Sequence, residues 1–456
     1  MAGTNRSISS TEATSPSPVC ELPATSSVGA PADSSGSSVE VLTFGCRLNA
    51  YESEVMRRHA LDAGLSDVVI VNSCAVTAEA ERQVRQAIRR ARRENPSASI
   101  VVTGCAAQLA AEKFAAMPEV TRVLGNAEKM APGSWLPRPD QPRVSVADIQ
   151  QVRETAGHLL PGFESRTRAF LQVQNGCDHR CTFCIIPYAR GPARSVPVPQ
   201  VVAQVQELIL AGVGEVVFSG VDLTSYGQDL GVDVTLGGLV RRVLHEVPGL
   251  RRLRISSVDP CEIDEDLWRA VAEEERLMPH FHLSLQSGDD MILKRMKRRH
   301  SRAQSVEVAQ RLRSLRPGAA IGADLIAGFP TETEEMFRNS LALVDDCGLV
   351  HLHVFPYSER SGTPAARMPS MPKSVRKARA AALRAAGEKA LVNHLAAKLG
   401  RIEEVHIESD GRGLAPDFSR VVFPQGTPPA PAGSFRQARI VDVVDQALLA
   451  EFVQGP

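Results

Sequence analysis

The chain has 456 residues, past the size at which a single core stops growing, so two or three domains are expected. Fifty-two basic residues cancel fifty-two acidic ones, so a nucleic-acid partner would have to be held by local patches and not by a global field. With 43% hydrophobic and 23% charged residues, no apolar run of bilayer length and no basic-then-apolar start, the chain reads as an ordinary soluble protein, and a cytoplasmic location is expected.

Residues 1–38 are mostly Ser, Thr, Pro, Ala and Gly and are expected to form a disordered tail. Its single Arg6 stands against Glu12, Glu21 and Asp33, which is not the composition of a transit peptide, and its Cys20 has no assigned role. From Val39 the pattern changes. VEVLTFGC, DVVIVNSC and ASIVVTGC each precede a helix-like stretch, AYESEVMRRHALDAG, AEAERQVRQAIRRARREN and AAQLAAEKFAAM, so a parallel α/β domain is expected over 39–140. Cys46, Cys74 and Cys105 each fall just past a strand. The strand ends of a parallel sheet share one edge, so three thiols distant in sequence should converge there, with helix N-termini favouring their thiolates. Taken singly each fits a buried core cysteine as well.

A linker around 131–165 leads to a second run of strands, AFLQVQN, EVVFSG, RRLRISS, FHLSLQ, AAIGADLIAGF and VHLHVFPY, with amphipathic segments such as VPQVVAQVQELILAG between them. Six such units predict a partial (β/α)6 barrel over 163–392, with chemistry at the strand C-terminal ends. NGCDHRCTFCIIPYARG follows the first strand and spaces Cys177, Cys181 and Cys184 as C-x3-C-x2-C. Nine cysteines in a reducing compartment point to metal or redox chemistry and not to disulfides. Three thiolates leave one corner of a four-iron cluster open to another ligand. A closed zinc site would need a further donor, for which His179 is the nearby but crowded choice. Ser219, Gly220 and Asp222 follow the second strand, Gln286 and Ser287 the fourth, and Gly328 and Pro330 the fifth; each fits turn chemistry as well as ligand contact. Cys261 and Cys347 are expected to be buried thiols.

Two basic stretches stand out. Lys294, Arg295, Lys297, Arg298 and Arg299, directly after the fourth strand, suit RNA phosphates, whereas the arginines from Arg82 to Arg93 read as a solvated helix face. Over 398–454, IEEVHIESD, SRVVFP, QARIVDVVD and ALLAEFV predict a five-stranded β-barrel of the OB type. Phe418, Phe423, Phe435 and Phe452 are its only aromatics for stacking on bases.

The C-x3-C-x2-C motif with Phe183 before its last cysteine resembles the signature of the radical S-adenosylmethionine enzymes. GCRLNAYESE, VNSCAVT and TGCAAQ resemble the N-terminal cluster domain of the methylthiotransferases within that group. CTFCIIPYARG and LSLQSGDDMILKRMKRRH resemble their catalytic barrel, and residues from about 398 their TRAM domain, a small RNA-holding β-barrel. The resemblance implies two 4Fe–4S clusters. One, on Cys177, Cys181 and Cys184, would bind S-adenosylmethionine and start radical chemistry; the other, on Cys46, Cys74 and Cys105, would carry the inserted sulfur, and a second S-adenosylmethionine would supply the methyl group. It further implies cofactor contacts from Phe183, Ser219, Gly220, Asp222, Gln286 and Ser287. The implied partners are the tRNA anticodon loop, an electron donor such as flavodoxin or ferredoxin, and a sulfur source, for a monomer away from membranes. GCRLN resembles the branch acting on N6-threonylcarbamoyladenosine in tRNA; the isopentenyladenosine branch more often has GCQMN and the ribosomal-protein aspartate branch GCPKN. A non-catalytic zinc and RNA-binding protein is the competing class, separated from the enzyme by metal and sulfide content.

Overall fold

The computed structural model describes residues 39–154, 167–408, 411–427 and 430–453, so the tail at 1–38, with Cys20, and residues 155–166 of the linker lie outside the described residues. The N-terminal unit is a parallel sheet whose strands follow chain order: Val39–Thr43, Val68–Ser73, Ser99–Gly104, Arg122–Leu124 and Val144–Ser145. Helices cover the sheet, so Val68–Ser73 is buried at every position and reads as a continuous apolar run. The last two strands have three and two residues, too few to show a period in the sequence. Helix Ala78–Glu94 buries only Val84, Ile88 and Ala91, a single stripe at helical spacing. Arg82, Arg85 and Arg90 pair with Glu79, Glu81 and Glu94 of the same helix, the solvated face its sequence suggests.

The large barrel has the six expected strands. Arg168–Gln172, Glu215–Ser219 and Arg252–Ile255 make one parallel sheet, and His280–Gln286, Ala320–Ala327 and Leu349–Pro356 another. Bridges at Leu253↔Leu277 and Val258↔Leu283 join the two sheets into an incomplete barrel. Its core includes Ala50, Tyr51 and Val55 from helix Arg47–Asp62, so the N-terminal unit packs directly on the barrel through that helix.

Helix Lys373–Ala396 crosses the last barrel strand and leads into a closed barrel of Ile402–Ile407, Arg412–Leu414, Arg420–Val422, Phe435–Val444 and Ala447–Phe452. This small barrel docks under the N-terminal ends of the large barrel's strands. Arg252 donates to the Leu414 carbonyl at 3.2 Å, and Arg254 to the Pro416 and Ala415 carbonyls at 2.7 and 3.2 Å. Glu215 holds Arg254 at 2.8 Å, and Arg168 meets Glu408 at 2.9 Å. Charged residues at the buried starts of three strands are thereby paired, which is the condition for burying them.

The small barrel's four phenylalanines are half-buried with their rings engaged by other rings of the protein, which accords with RNA binding that leans on backbone and charge. Phe418, held at φ +72°, stacks on His280 with ring centroids 4.8 Å apart, under the guanidinium groups of Arg47, Arg168 and Arg254. Phe435 stacks on His406 at 4.6 Å, and Phe423 faces Phe452 at 4.3 Å. Their apolar faces are better satisfied in a small domain's scarce core than in solvent.

Gly104, immediately before Cys105, sits at φ +94°, and a Cβ there would lie 2.5 Å from the Ser73 backbone nitrogen. Gly104→Ala should cost at least about 2 kcal/mol of unfolding free energy, from strain and from forcing the two strands apart. Urea denaturation of the two chains measures this, and an unchanged midpoint would contradict the close approach.

Candidate functional site: two cysteine trios across one domain boundary

Cys46 is the N-cap of helix Arg47–Asp62, Cys74 follows strand Val68–Ser73 directly, and Cys105 is the first residue of helix Cys105–Leu109. The turns that carry them are stitched together. A Cβ on Gly45 would lie 2.8 Å from Cys74 Sγ, so only glycine lets that turn approach. Asn49 lies 3.8 Å from Cys46 Sγ and donates to the Ser73 carbonyl at 3.3 Å, while Ser73 Oγ bridges the Thr103 carbonyl and the Ala107 N–H. Burial, and then the negative charge of Cys105 and Cys46, pushes the Cys74 thiol up to about 12. Burial also raises Cys46, against the pull of Arg190. Desolvation therefore overrides the helix N-termini expected to favour thiolates.

The second trio lies in the loop after strand Arg168–Gln172. Gly176 turns the chain at φ +72°, where a Cβ would strike the Pro192 carbonyl oxygen. Cys177 N–H donates to the Gly191 carbonyl at 3.1 Å, and Thr182 donates from its N–H and hydroxyl to the Met296 and Arg295 carbonyls. Cys177 Sγ is 3.5 Å from Asp222 Oδ2. Arg298 donates to Cys181 Sγ at 3.7 Å and to Asp259 at 2.6 Å. Burial pushes Cys184 up to about 12, and Cys105 of the first trio stands near enough to add to that rise. Asn126 links the two regions: its Nδ2 lies 3.9 Å from Cys105 Sγ and donates at 2.7 Å to the carbonyl of Ala189, on the helix that follows Cys184.

Between them is Arg190, on helix Ile186–Arg190. Its guanidinium donates to both Glu52 oxygens at 2.8 and 3.0 Å, to Asn49 Oδ1 at 2.6 Å and to Asn175 Oδ1 at 3.0 Å. Lys129 Nζ reaches Glu52 at 2.6 Å, and all three charged side chains are buried. Burial alone would raise the Glu52 carboxyl, but Arg190 and then Lys129 hold it at about 2. One anion against two cations leaves an excess positive charge beside Cys46 and Cys105.

All six thiols are free. Two sets of three thiols on neighbouring loops, beside surplus positive charge, fit thiophilic metal clusters, whose thiolate charge the cations would offset. His179 does not close a four-ligand zinc site. It contacts Asp222 at 3.1 Å and Glu262 at 3.5 Å, whose hydrogen bonds raise its pKa to about 10.

The remaining sequence candidates divide. Asp222 stands beside Cys177, its loop pinned by Gln174 Oε1, which accepts from the Val221 and Asp222 N–H groups at 2.9 Å. Gly220 packs against that same glutamine, where a Cβ would lie 2.9 Å from Oε1. Phe183 packs against the cluster of Ile292, Met296, Phe329 and Tyr357. Gln286 takes a left-handed φ of 68°, a strained conformation for this residue type. The Ser219 hydroxyl is turned to the Val217 carbonyl at 3.4 Å, and that of Ser287 to Ser340 and the Asp289 N–H. Gly328, at φ +71°, donates its N–H to Glu332. Cys347 is buried as expected, whereas Cys261 is exposed, its sulfur 3.1 Å from Asp259 Oδ1 in the loop after the third strand. Glu52, Asn49, Lys129 and Arg190 were not singled out in the sequence, and Arg298, expected at RNA phosphate, instead serves Cys181 and Asp259. The available signal was the helical spacing of Asn49 and Glu52, three apart on the helix that Cys46 opens.

Glu52→Gln should cost about 3–5 kcal/mol at neutral pH, because it leaves Arg190 and Lys129 buried without an anion. The depressed carboxyl stabilises the fold above its ordinary pKa of 4.5, and this contribution, about 3 kcal/mol, is lost as pH falls toward about 2. Urea denaturation of both chains between pH 7 and pH 3 should show a shallower acid loss in the variant; parallel curves would contradict the assignment.

Residues 171–344 match the radical SAM superfamily model, and residues 38–125 match that of "Uncharacterized protein family UPF0004". The chain is 53% identical to "Threonylcarbamoyladenosine tRNA methylthiotransferase MtaB" of Rickettsia prowazekii over 83% of this chain and 90% of that protein. It is 37% identical to the protein of the same name in Bacillus subtilis, over 72% and 74%. Against the "tRNA-2-methylthio-N(6)-dimethylallyladenosine synthase" of Sorangium cellulosum it is 34% identical over 81% of each. In fold it is similar to the radical S-adenosylmethionine methyltransferase TsrM of Kitasatospora setae, with TM-score 0.52 and 16% identity over 69% of this chain and 74% of that one. The motifs, the two-unit match and these relatives agree: the chain belongs to the radical S-adenosylmethionine methylthiotransferases, which work with S-adenosylmethionine and 4Fe–4S clusters, and is most like their threonylcarbamoyladenosine tRNA branch.

Proposed function

We propose that this chain inserts a methylthio group at C2 of N6-threonylcarbamoyladenosine beside the anticodon of tRNA. The observation that carries the proposal is the buried Arg190–Glu52 bridge tying together the loops that bear the two cysteine trios, in a chain with relatives up to 53% identical that bear that activity in their names. When bound, the two clusters and S-adenosylmethionine supply the radical, the sulfur and the methyl group.

The protein's own residues hold and orient these groups. Cys177, Cys181 and Cys184 ligate the cluster that engages S-adenosylmethionine; Cys46, Cys74 and Cys105 ligate the one that carries sulfur. Arg298 donates to Cys181 Sγ and so tunes that thiolate's charge and direction. Phe183, Gly220, Asp222 and Gln286 line the cofactor's approach, and Ser219 and Ser287, whose hydroxyls are turned inward, contribute main-chain groups. In this scheme 39–140, 163–392 and 398–454 are the sulfur-cluster, catalytic and RNA-holding domains. Lys294 and Lys297 remain exposed for phosphate, while Arg298 and Arg299 are committed to Asp259 and Glu262. With its few aromatics half-buried against other rings, the small barrel grips RNA by backbone and by exposed arginines such as Arg412, Arg420 and Arg436. Among the described residues no helix is long and apolar enough to cross a membrane. We place the protein in the cytoplasm as a monomer that receives electrons from a flavodoxin or ferredoxin and sulfur from a separate donor.

Mass spectrometry of tRNA nucleosides from cells with and without the protein should show loss of the methylthio form of threonylcarbamoyladenosine. Loss of the isopentenyl counterpart instead would move the substrate to the neighbouring branch. Anaerobic reconstitution should load about eight iron and eight sulfide per chain. Alanine at Cys177, Cys181 or Cys184 should abolish 5′-deoxyadenosine formation, whereas alanine at Cys46, Cys74 or Cys105 should leave part of it and stop methylthiolation; cofactor cleavage at the parent rate in both sets would overturn the division of labour.

A further inference from the structure

The barrel does not fill its own interior with apolar side chains. His282, Asp324 and His353 sit on its last three strands as one polar layer, and the Asp324 and His353 side chains are 28% and 27% exposed although they lie mid-strand. Asp324 Oδ1 accepts from His282 Nε2 at 2.9 Å and from His353 Nδ1 at 3.1 Å, and the two rings are 4.5 Å apart. Gly322 makes room for this layer: a Cβ there would lie 2.5 Å from His282 Nδ1. Below it, Phe418 of the small barrel stacks on His280 and meets His351 edge-on, closing the floor.

The N-terminal unit supplies a cation. Arg47, the residue after Cys46, brings its guanidinium 5.4 Å from the Phe418 ring centroid and 5.9 Å from that of Phe170. Its backbone therefore stands at the sulfur-carrying trio and its head group at the bottom of the barrel. Burial, then the neighbouring His351 and Arg254, and last Arg47, hold His280 below the usual imidazole range. The interior thus joins three guanidinium groups around Phe418, two of them, Arg168 and Arg254, paired with Glu408 and Glu215, with aromatic faces and a carboxylate that keeps two imidazoles oriented.

Such a lining suits a ligand with an anionic end and hydroxyl or N–H donors, and it disfavours an apolar one, which offers polar groups nothing in exchange for their desolvation. A threonylcarbamoyl group carries a urea link, a hydroxyl and a carboxylate; a dimethylallyl group has none of these. We infer that this chamber is the recognition pocket for the threonyl arm of the base, with the arm's carboxylate held by Arg47 and its hydroxyl donating to His353 Nε2. Asp324 is a positioning residue: by accepting from His353 Nδ1 it leaves Nε2 as the ring's acceptor. The inference rests on the substrate class proposed above.

The test uses the reconstituted full-length chain and anticodon stem-loop RNAs carrying threonylcarbamoyladenosine, its carboxylate methyl ester, or the glycine analogue that lacks the hydroxyl. For the parent chain the ester should raise KM by about 50-fold, the order expected on losing a charge-assisted hydrogen bond. Arg47→Gln should show a similar loss on the acid and no discrimination between acid and ester, and Arg47→Lys should recover part of it. His353→Phe should lose about tenfold on the threonyl RNA and little on the glycine analogue. Iron content is measured for each variant, and if Arg47→Gln loses iron, the ester and His353→Phe carry the test. Equal use of acid and ester by the parent, or unchanged kcat/KM in the iron-replete variants, overturns the pocket. A parent chain that ignores threonylcarbamoyl RNA and modifies dimethylallyl RNA overturns the substrate reading instead.

Discussion

The contact between Arg190 and Glu52 fixes the relation between the two halves of the site. Arg190 follows Cys184 by six residues, and Glu52 follows Cys46 by six, so one buried guanidinium ties together the loops that carry the two trios. A buried pair gains its rigidity from the cost of separating it, since either charge left alone would be desolvated without compensation. Lys129 makes the arrangement asymmetric, and the extra positive charge falls beside Cys46 and Cys105. Charge balance and mechanical registration are thus served by the same side chains.

The large barrel shows the same economy at its other end. Three of its strands begin with Arg168, Glu215 and Arg252, with Arg254 two residues further along the third, residues that a buried strand start would ordinarily exclude. They are accommodated because the small barrel presents backbone carbonyls and Glu408 to them, and because Phe418 fills the space above. The small barrel is therefore part of the catalytic unit's structure, and Phe418 belongs to that packing.

Three parts of the chain meet in the interior: Arg47 from the first, the His282–Asp324–His353 layer from the second and Phe418 from the third. The residue after Cys46 thereby reaches the interior of the large barrel, so one short segment spans the cysteine trio and the polar layer.

The sequence by itself determined the repeating strand and helix units, the strand-end position of all six cysteines and the six strands of the partial barrel, because local periodicity reports which face is buried and where a strand stops. Only tertiary structure decided what stands opposite each residue. Arg190 and Glu52 are 138 residues apart, and nothing local in either segment names the other. The ring contacts of the four phenylalanines, the exposure of Cys261, the diversion of Arg298 and Arg299 to Asp259 and Glu262, and the placement of Arg47 in the barrel were invisible for the same reason. Each depends on how separately formed elements pack, and burial and charge pairing are properties of that packing.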